Sequence, residues 1–155
     1  MWRDIVMVKQ QNGVTLIELL ITITLLGILA AQVMPLGRAW IANTQISNAE
    51  KSLVEALGKA RNEALQNPEG NIGATTLASA IEVNNTNKEI IVKNGKTPPE
   101  TIWKTKIPAT VSISLSPIGC TTNNTINFNN NSQNLSTCTT YTITANGGTN
   151  AEAKL

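Results

Sequence analysis

Histidine is absent from the 155 residues, aspartate occurs once, at Asp4, and cysteine occurs twice. The side chains that usually shuttle protons near neutral pH or hold zinc are therefore nearly missing, so metal-dependent and His-based chemistry lose their groups. Serine and threonine are plentiful, but without histidine no nucleophile has an evident base, and a Lys–Ser dyad is the one enzymatic reading left. Charge is also sparse. Twelve Lys and Arg against ten Asp and Glu leave a formal net charge of +2, too little to name a nucleic-acid or acidic-lipid partner. Charged residues are 14% of the chain, so amides and hydroxyls must make most of the polar surface. The length suits one domain plus an anchor. No metal or cofactor is implied.

What the chain does have is a long apolar run. Residues 1–13 are mixed and carry Arg3 and Lys9, whereas residues 14–36 are apolar except for Thr15, Glu18, Thr22, Thr24 and Gln32. At about 1.5 Å per residue this run is long enough for a hydrocarbon core of roughly 30 Å. Lys9 and Arg3 before it and Arg38 after it favour a cytoplasmic N-terminus. An ordinary secretory signal cut near Leu29-Ala30-Ala31 is the competing reading. The run is too long for a typical signal core, and a carboxylate near its start is costly there.

From Trp40 the pattern turns amphipathic. Ile46, Ala49, Leu53, Leu57, Ala60 and Ala64 recur at intervals of three and four with charges between them, which predicts a helix with one apolar face. Glu55 and Lys59 have the acid-before-base i,i+4 order, and Asn67-Pro68-Glu69-Gly70 reads as the stop. Beyond it, β-branched runs at 80–83, 89–92, 101–104, 111–115, 125–128 and 140–144 predict strands, paired antiparallel. Asn94-Gly95 and Asn146-Gly147 are turn signals, and Thr97-Pro98-Pro99 is a connection. The chain is thus α+β: a long N-terminal helix, transmembrane then amphipathic, packed on a small antiparallel β-sheet domain.

Residues 121–150 hold nine Asn and nine Thr, a composition that could be disordered. Cys120 and Cys138 bracket most of this stretch, and a lone pair of cysteines outside the cytoplasm is usually bonded. With no histidine and no third cysteine, zinc is not an expected occupant.

The most specific feature is Gly13-Val14-Thr15-Leu16-Ile17-Glu18-Leu19-Leu20, followed by Gly27 and Pro35. Here the sequence resembles the type IV pilin family, whose leader ends in Gly before a hydrophobic residue, Thr-Leu-Ile-Glu-Leu and an apolar helix. Val14 stands where the family usually has Phe. The resemblance implies cleavage between Gly13 and Val14 by a prepilin peptidase, N-methylation of Val14 and a pilin fold. It also divides the chain into a leader at 1–13, a transmembrane helix at 14–36, the amphipathic half of the helix at 37–67 and an extracytoplasmic β domain at 68–155.

Once the leader is gone, Glu18 and the new Val14 ammonium group offer opposite charges. A carboxylate in a helix bundle is costly unless paired, so the amine of a neighbouring subunit is a suitable partner that would enforce register. In a monomeric anchor Glu18 would instead snorkel toward the headgroups. Pro35 removes a backbone donor and clashes with the turn before it, which predicts a kink or local unwinding, and Gly27 lowers helix stiffness.

Lys59-Ala60-Arg61-Asn62-Glu63-Ala64-Leu65 is similar to a segment of the GspH/FimT branch of minor pilins and pseudopilins, and Thr125-Ile126-Asn127-Phe128 is similar to its late strand. The favoured reading is a minor type IV pilin that helps start or cap a pilus, with other minor pilins and the major pilin as partners. It would sit single-pass in the inner membrane, then in the pilus at the cell surface. The equivalent minor pseudopilin of a type II secretion system, in a periplasmic pseudopilus, is the alternative within that architecture. DNA is the partner in another reading, drawn from members of the branch that bind it through a basic C-terminus. Residues 146–155 contain one lysine, offset by Glu152, which counts against it; Lys88, Lys93, Lys96, Lys104 and Lys106 are a local excess of charge in its favour.

Overall fold

The computed structural model describes residues 13–120 and 124–155. Of the expected leader, residues 1–12 lie outside this range, as do residues 121–123 of the Asn- and Thr-rich stretch. One helix, α1 (Leu16–Gln66), is followed by seven strands. The chain divides into two compact units, Met1–Leu36 and Gly37–Leu155.

In the first unit α1 is long and apolar enough to cross a membrane, and none of its side chains is buried within the protein. Thr22 Oγ1 donates to the carbonyl of Leu19, and Thr24 Oγ1 donates to those of Leu20 and Ile21. Each hydroxyl is thus satisfied inside its own helix, which lowers the cost of placing it in lipid.

In the second unit the rest of α1 buries Ala42, Ile46, Ala49, Leu53, Ala56, Leu57, Ala60 and Ala64. The stripe contains every apolar position expected from the spacing and adds Ala42 and Ala56. Five of its eight side chains are alanine, so the stripe is low in relief and excludes water with small side chains. The Glu55–Lys59 ion pair forms beside the stripe, 3.4 Å apart. The helix stops where the turn signal stands: Asn67 takes a left-handed conformation with φ 43°, and its N–H donates to the Glu63 carbonyl.

The strands are β1 (Ser79–Asn84), β2 (Glu89–Asn94), β3 (Thr101–Lys106), β4 (Val111–Ser116), β5 (Thr125–Phe128), β6 (Thr140–Ala145) and β7 (Ala151–Lys154). They form two antiparallel sheets, ordered β3-β2-β1-β5 and β4-β6-β7. Alternation decides what each strand buries: Val111, Ile113 and Leu115 point inward from β4, and Tyr141, Ile143 and Ala145 from β6. Strand β7 was not expected. Ala-Glu-Ala-Lys favours helix by propensity, and here pairing with β6 and half-burial of Ala151 and Ala153 override it.

Polar contacts fix where each sheet meets the helix. Ser79 Oγ donates to the Ala60 carbonyl at 2.7 Å, joining β1 to the later part of α1. Tyr141 Oη donates to Glu50 Oε1 at 3.2 Å, joining β6 to an earlier part. Burial first, and the Glu50 charge second, hold the Tyr141 hydroxyl above its ordinary pKa.

Gly95 occupies one of the two turn signals, though not for its torsional freedom. A Cβ there would lie 2.6 Å from the Leu77 carbonyl oxygen and 2.9 Å from Ala78 Cα, so the glycine is what lets the 71–78 loop reach β2. Gly95→Ala is expected to lower stability by about 1–3 kcal/mol, because two of the three nearest atoms are main chain and cannot rotate away, and the third, Asn71 Nδ2, is held by hydrogen bonds to the Leu77 and Gly95 carbonyls. Denaturant melting of the full chain in detergent checks this; an unchanged midpoint would show that the loop yields.

Candidate functional site

The helix start is built by Thr15. Its Oγ1 accepts the Glu18 N–H at 3.3 Å, and its carbonyl accepts the Leu19 N–H at 3.1 Å, so Thr15 is the N-cap. Sequence reasoning passed over this role, although Thr-x-x-Glu before an apolar run is the pattern of a capping box. Glu18 then falls in the first turn, where the free N–H groups of the helix favour a carboxylate. It is exposed, and it is the only charged residue from Gly13 to Gly37. Gly13 and Val14 precede the helix and are exposed.

Gly27 and Pro35 both lie inside α1. The helix continues unbroken through Pro35. A Cβ on Gly27 would meet nothing within 4 Å, so no contact within the protein requires glycine there.

The expected cysteine pair is joined: Cys120 and Cys138 form a disulfide. The stretch it encloses is ordered by asparagine side chains among its described residues. Asn129 is fully buried, donates from Nδ2 to the Ala74 carbonyl and to Gln133 Oε1, and accepts at Oδ1 the N–H groups of Asn131 and Gln133. Asn85 acts as a surrogate peptide unit: its Nδ2 donates to the Ile113 carbonyl at 2.7 Å and its Oδ1 accepts the Ile113 N–H at 3.0 Å. That pair ties the β1–β2 turn to β4 in the other sheet.

The lysine-rich stretch is divided by the fold. Lys88 Nζ donates to the Val111 carbonyl, Lys93 pairs with Glu82 at 2.6 Å, and Lys96 lies 2.9 Å from Glu100 and 3.6 Å from Glu69. The hydrogen bond between Lys96 and Glu100, and then their opposite charges, hold the ammonium above and the carboxyl below their ordinary pKa values. Three of the five cations thus have protein acceptors. Among the described residues no group of His, Cys, Asp or Glu is placed to hold a metal ion.

No curated protein and no solved structure matches the chain. Residues 8–31 match the family model of the prokaryotic N-terminal methylation motif, the type IV prepilin leader. The matched stretch runs across the Gly13–Val14 junction, the Thr15 cap, Glu18 and Gly27. This motif, on a helix able to cross a membrane and packed beyond Gly37 on antiparallel sheets, supports a type IV pilin-like or pseudopilin protein in general, made as a membrane-anchored prepilin.

Proposed function

We propose that the chain is a minor type IV pilin of the GspH/FimT branch, a structural subunit that helps to start or cap a pilus and carries out no chemistry. The observation that carries this reading is the methylation motif with one carboxylate, Glu18, in the first turn of an otherwise uncharged span. In this scheme prepilin peptidase cuts between Gly13 and Val14, and Val14 is N-methylated. Residues 14–36 hold the subunit in the inner membrane, with residues 37–155 outside it. Glu18 then takes the Val14 ammonium of a neighbouring pilin as its partner, because a helix bundle offers a buried carboxylate no water. Gly27 and Pro35 let the span bend as it leaves lipid for the filament. The branch assignment rests on residues 59–65, where Lys59 lies over the Trp103 ring and Arg61 over that of Phe128.

Maturation is the first test. Intact-mass analysis of the chain from its own cells is expected to show protein beginning at Val14 and heavier by one methyl group. A bulky residue at Gly13 is expected to leave the precursor uncut. Mature protein that begins at Met1, or beyond Ala31, would overturn the reading. Co-purification then assigns the assembly: minor pilins as companions support the pilus, and type II secretion pseudopilins would move the chain to that system.

A further inference from the structure

Two sheets of this size have four edges, and this fold treats them differently. The outer edge of β5 is covered, since the Leu135 N–H donates to the Asn127 carbonyl and Phe128 forms a bridge with Asn134. The outer edge of β4 is occupied at Ile113 by Asn85 and at Val111 by Lys88. Strand β7 carries Glu152 and Lys154, which have no common sign. Strand β3 remains, open and basic among the described residues.

The ladder shows which groups are free on β3. Ile107 N–H donates to the Lys88 carbonyl, so Ile107 and Thr105 turn their main-chain groups toward β2, and Lys104 and Lys106 turn theirs away from the sheet. The side chains of Lys104 and Lys106 are exposed on one face, and neither has a hydrogen bond or ion pair among the described residues. They are the two cations of the lysine-rich stretch that have no acceptor among the described residues. Ile102, at the bulge where Val92 and Lys93 shift register, is 42% exposed beside them.

We propose that the open edge of β3 is a docking site for an extended acidic segment of a partner protein, added as an antiparallel strand with carboxylates two residues apart opposite Lys104 and Lys106. Main-chain bonds to Lys104 and Lys106 supply the pairing, and the two ammonium groups select the sequence. Alternation puts residues i and i+2 of the added strand on the lysine face, which is why the carboxylates must be spaced by two. A second copy joined through the same edge would set lysines against lysines, the arrangement by which edge strands resist self-pairing. The charges that exclude a like strand admit an opposite one.

The experiment uses the full chain in detergent micelles and a short fluorescein-labelled peptide in which glutamate alternates with threonine and valine. Fluorescence anisotropy is expected to show saturable binding that weakens about tenfold or more for the Lys104→Glu, Lys106→Glu double variant. That variant keeps every main-chain group, so its fold is checked by an unchanged melting midpoint. The same peptide N-methylated on its alternate, strand-facing amides keeps its charge but cannot pair, and it is expected not to bind. Three results would overturn the proposal: no binding of the parent peptide, equal binding of the N-methylated one, or duplex DNA binding that depends on Lys104 and Lys106 while the peptide fails to compete. The last would mark the edge as a phosphate contact.

Discussion

Glu18→Ala is expected to abolish or sharply reduce assembly while leaving membrane insertion and leader cleavage intact. The variant removes the one charge in the span, so the helix becomes more apolar and partitions into lipid at least as well. It also removes a carboxylate from the first turn of a helix, but that interaction is worth only about 0.3–1 kcal/mol and leaves the Thr15 cap in place. On the pairing proposed above, loss of one partner of a buried pair costs about 3–5 kcal/mol, because the neighbour's Val14 amine would be left uncompensated. Assembly therefore suffers far more than the helix itself. Glu18→Gln keeps a hydrogen-bond acceptor without charge and should fall between. Pilus yield, or secreted substrate, is compared with subunit level held at wild type. Normal assembly by the alanine variant would remove the pairing and leave Glu18 as a tolerated residue of an anchor.

Breaking the disulfide should have the next largest effect. Cys120 and Cys138 are 18 positions apart in the sequence, and the stretch between them includes β5, whose Ile126 and Phe128 are buried in the core. Cys120→Ser is expected to lower stability by about 3 kcal/mol in the chain-entropy model, the upper end of the range for the Gly95 substitution. The loss should also be local. Strand β5 is held on one side by β1 and on the other by residues 134–135, so its amides should lose exchange protection before those of β2 or β6. Hydrogen exchange reads this directly; a uniform loss of protection would show that β5 unfolds only with the whole domain.

Much of this fold was legible because periodicity reports burial. The stripe from Ile46 to Ala64, the stop at Asn67 and six of the seven strands follow from spacing and turn chemistry, since a helix face and a strand face each leave a fixed period. The order of strands within the two sheets leaves no such trace: it depends on non-local pairings such as Ser79 with Phe128. Strand β7 escaped because Ala-Glu-Ala-Lys has no strand signature apart from its partner. The N-terminal methylation motif at residues 8–31 was readable because it is linear, whereas the open edge of β3 is visible only once β2 is seen on its other side. Asparagine content was ambiguous in another way. As composition, residues 121–150 could be disordered and only the bracketing cysteines spoke for order, while Asn129 within them and Asn85 before them are among the most connected side chains of the domain.

Those amides bear on how the protein ages. Asn71, Asn85, Asn129 and Asn134 each turn an Nδ2 donor to a main-chain carbonyl, at Leu77, Ile113, Ala74 and Cys138 respectively. Slow hydrolysis of any one to a carboxylate replaces a donor with an acceptor and sets oxygen against oxygen at about the same distance. At Asn129 the new negative charge would also be fully buried. The working lifetime of the protein would then be governed by the chemical wear of a few side chains, and the protection their tight hydrogen bonding gives them would matter as much as the depth of the folded state.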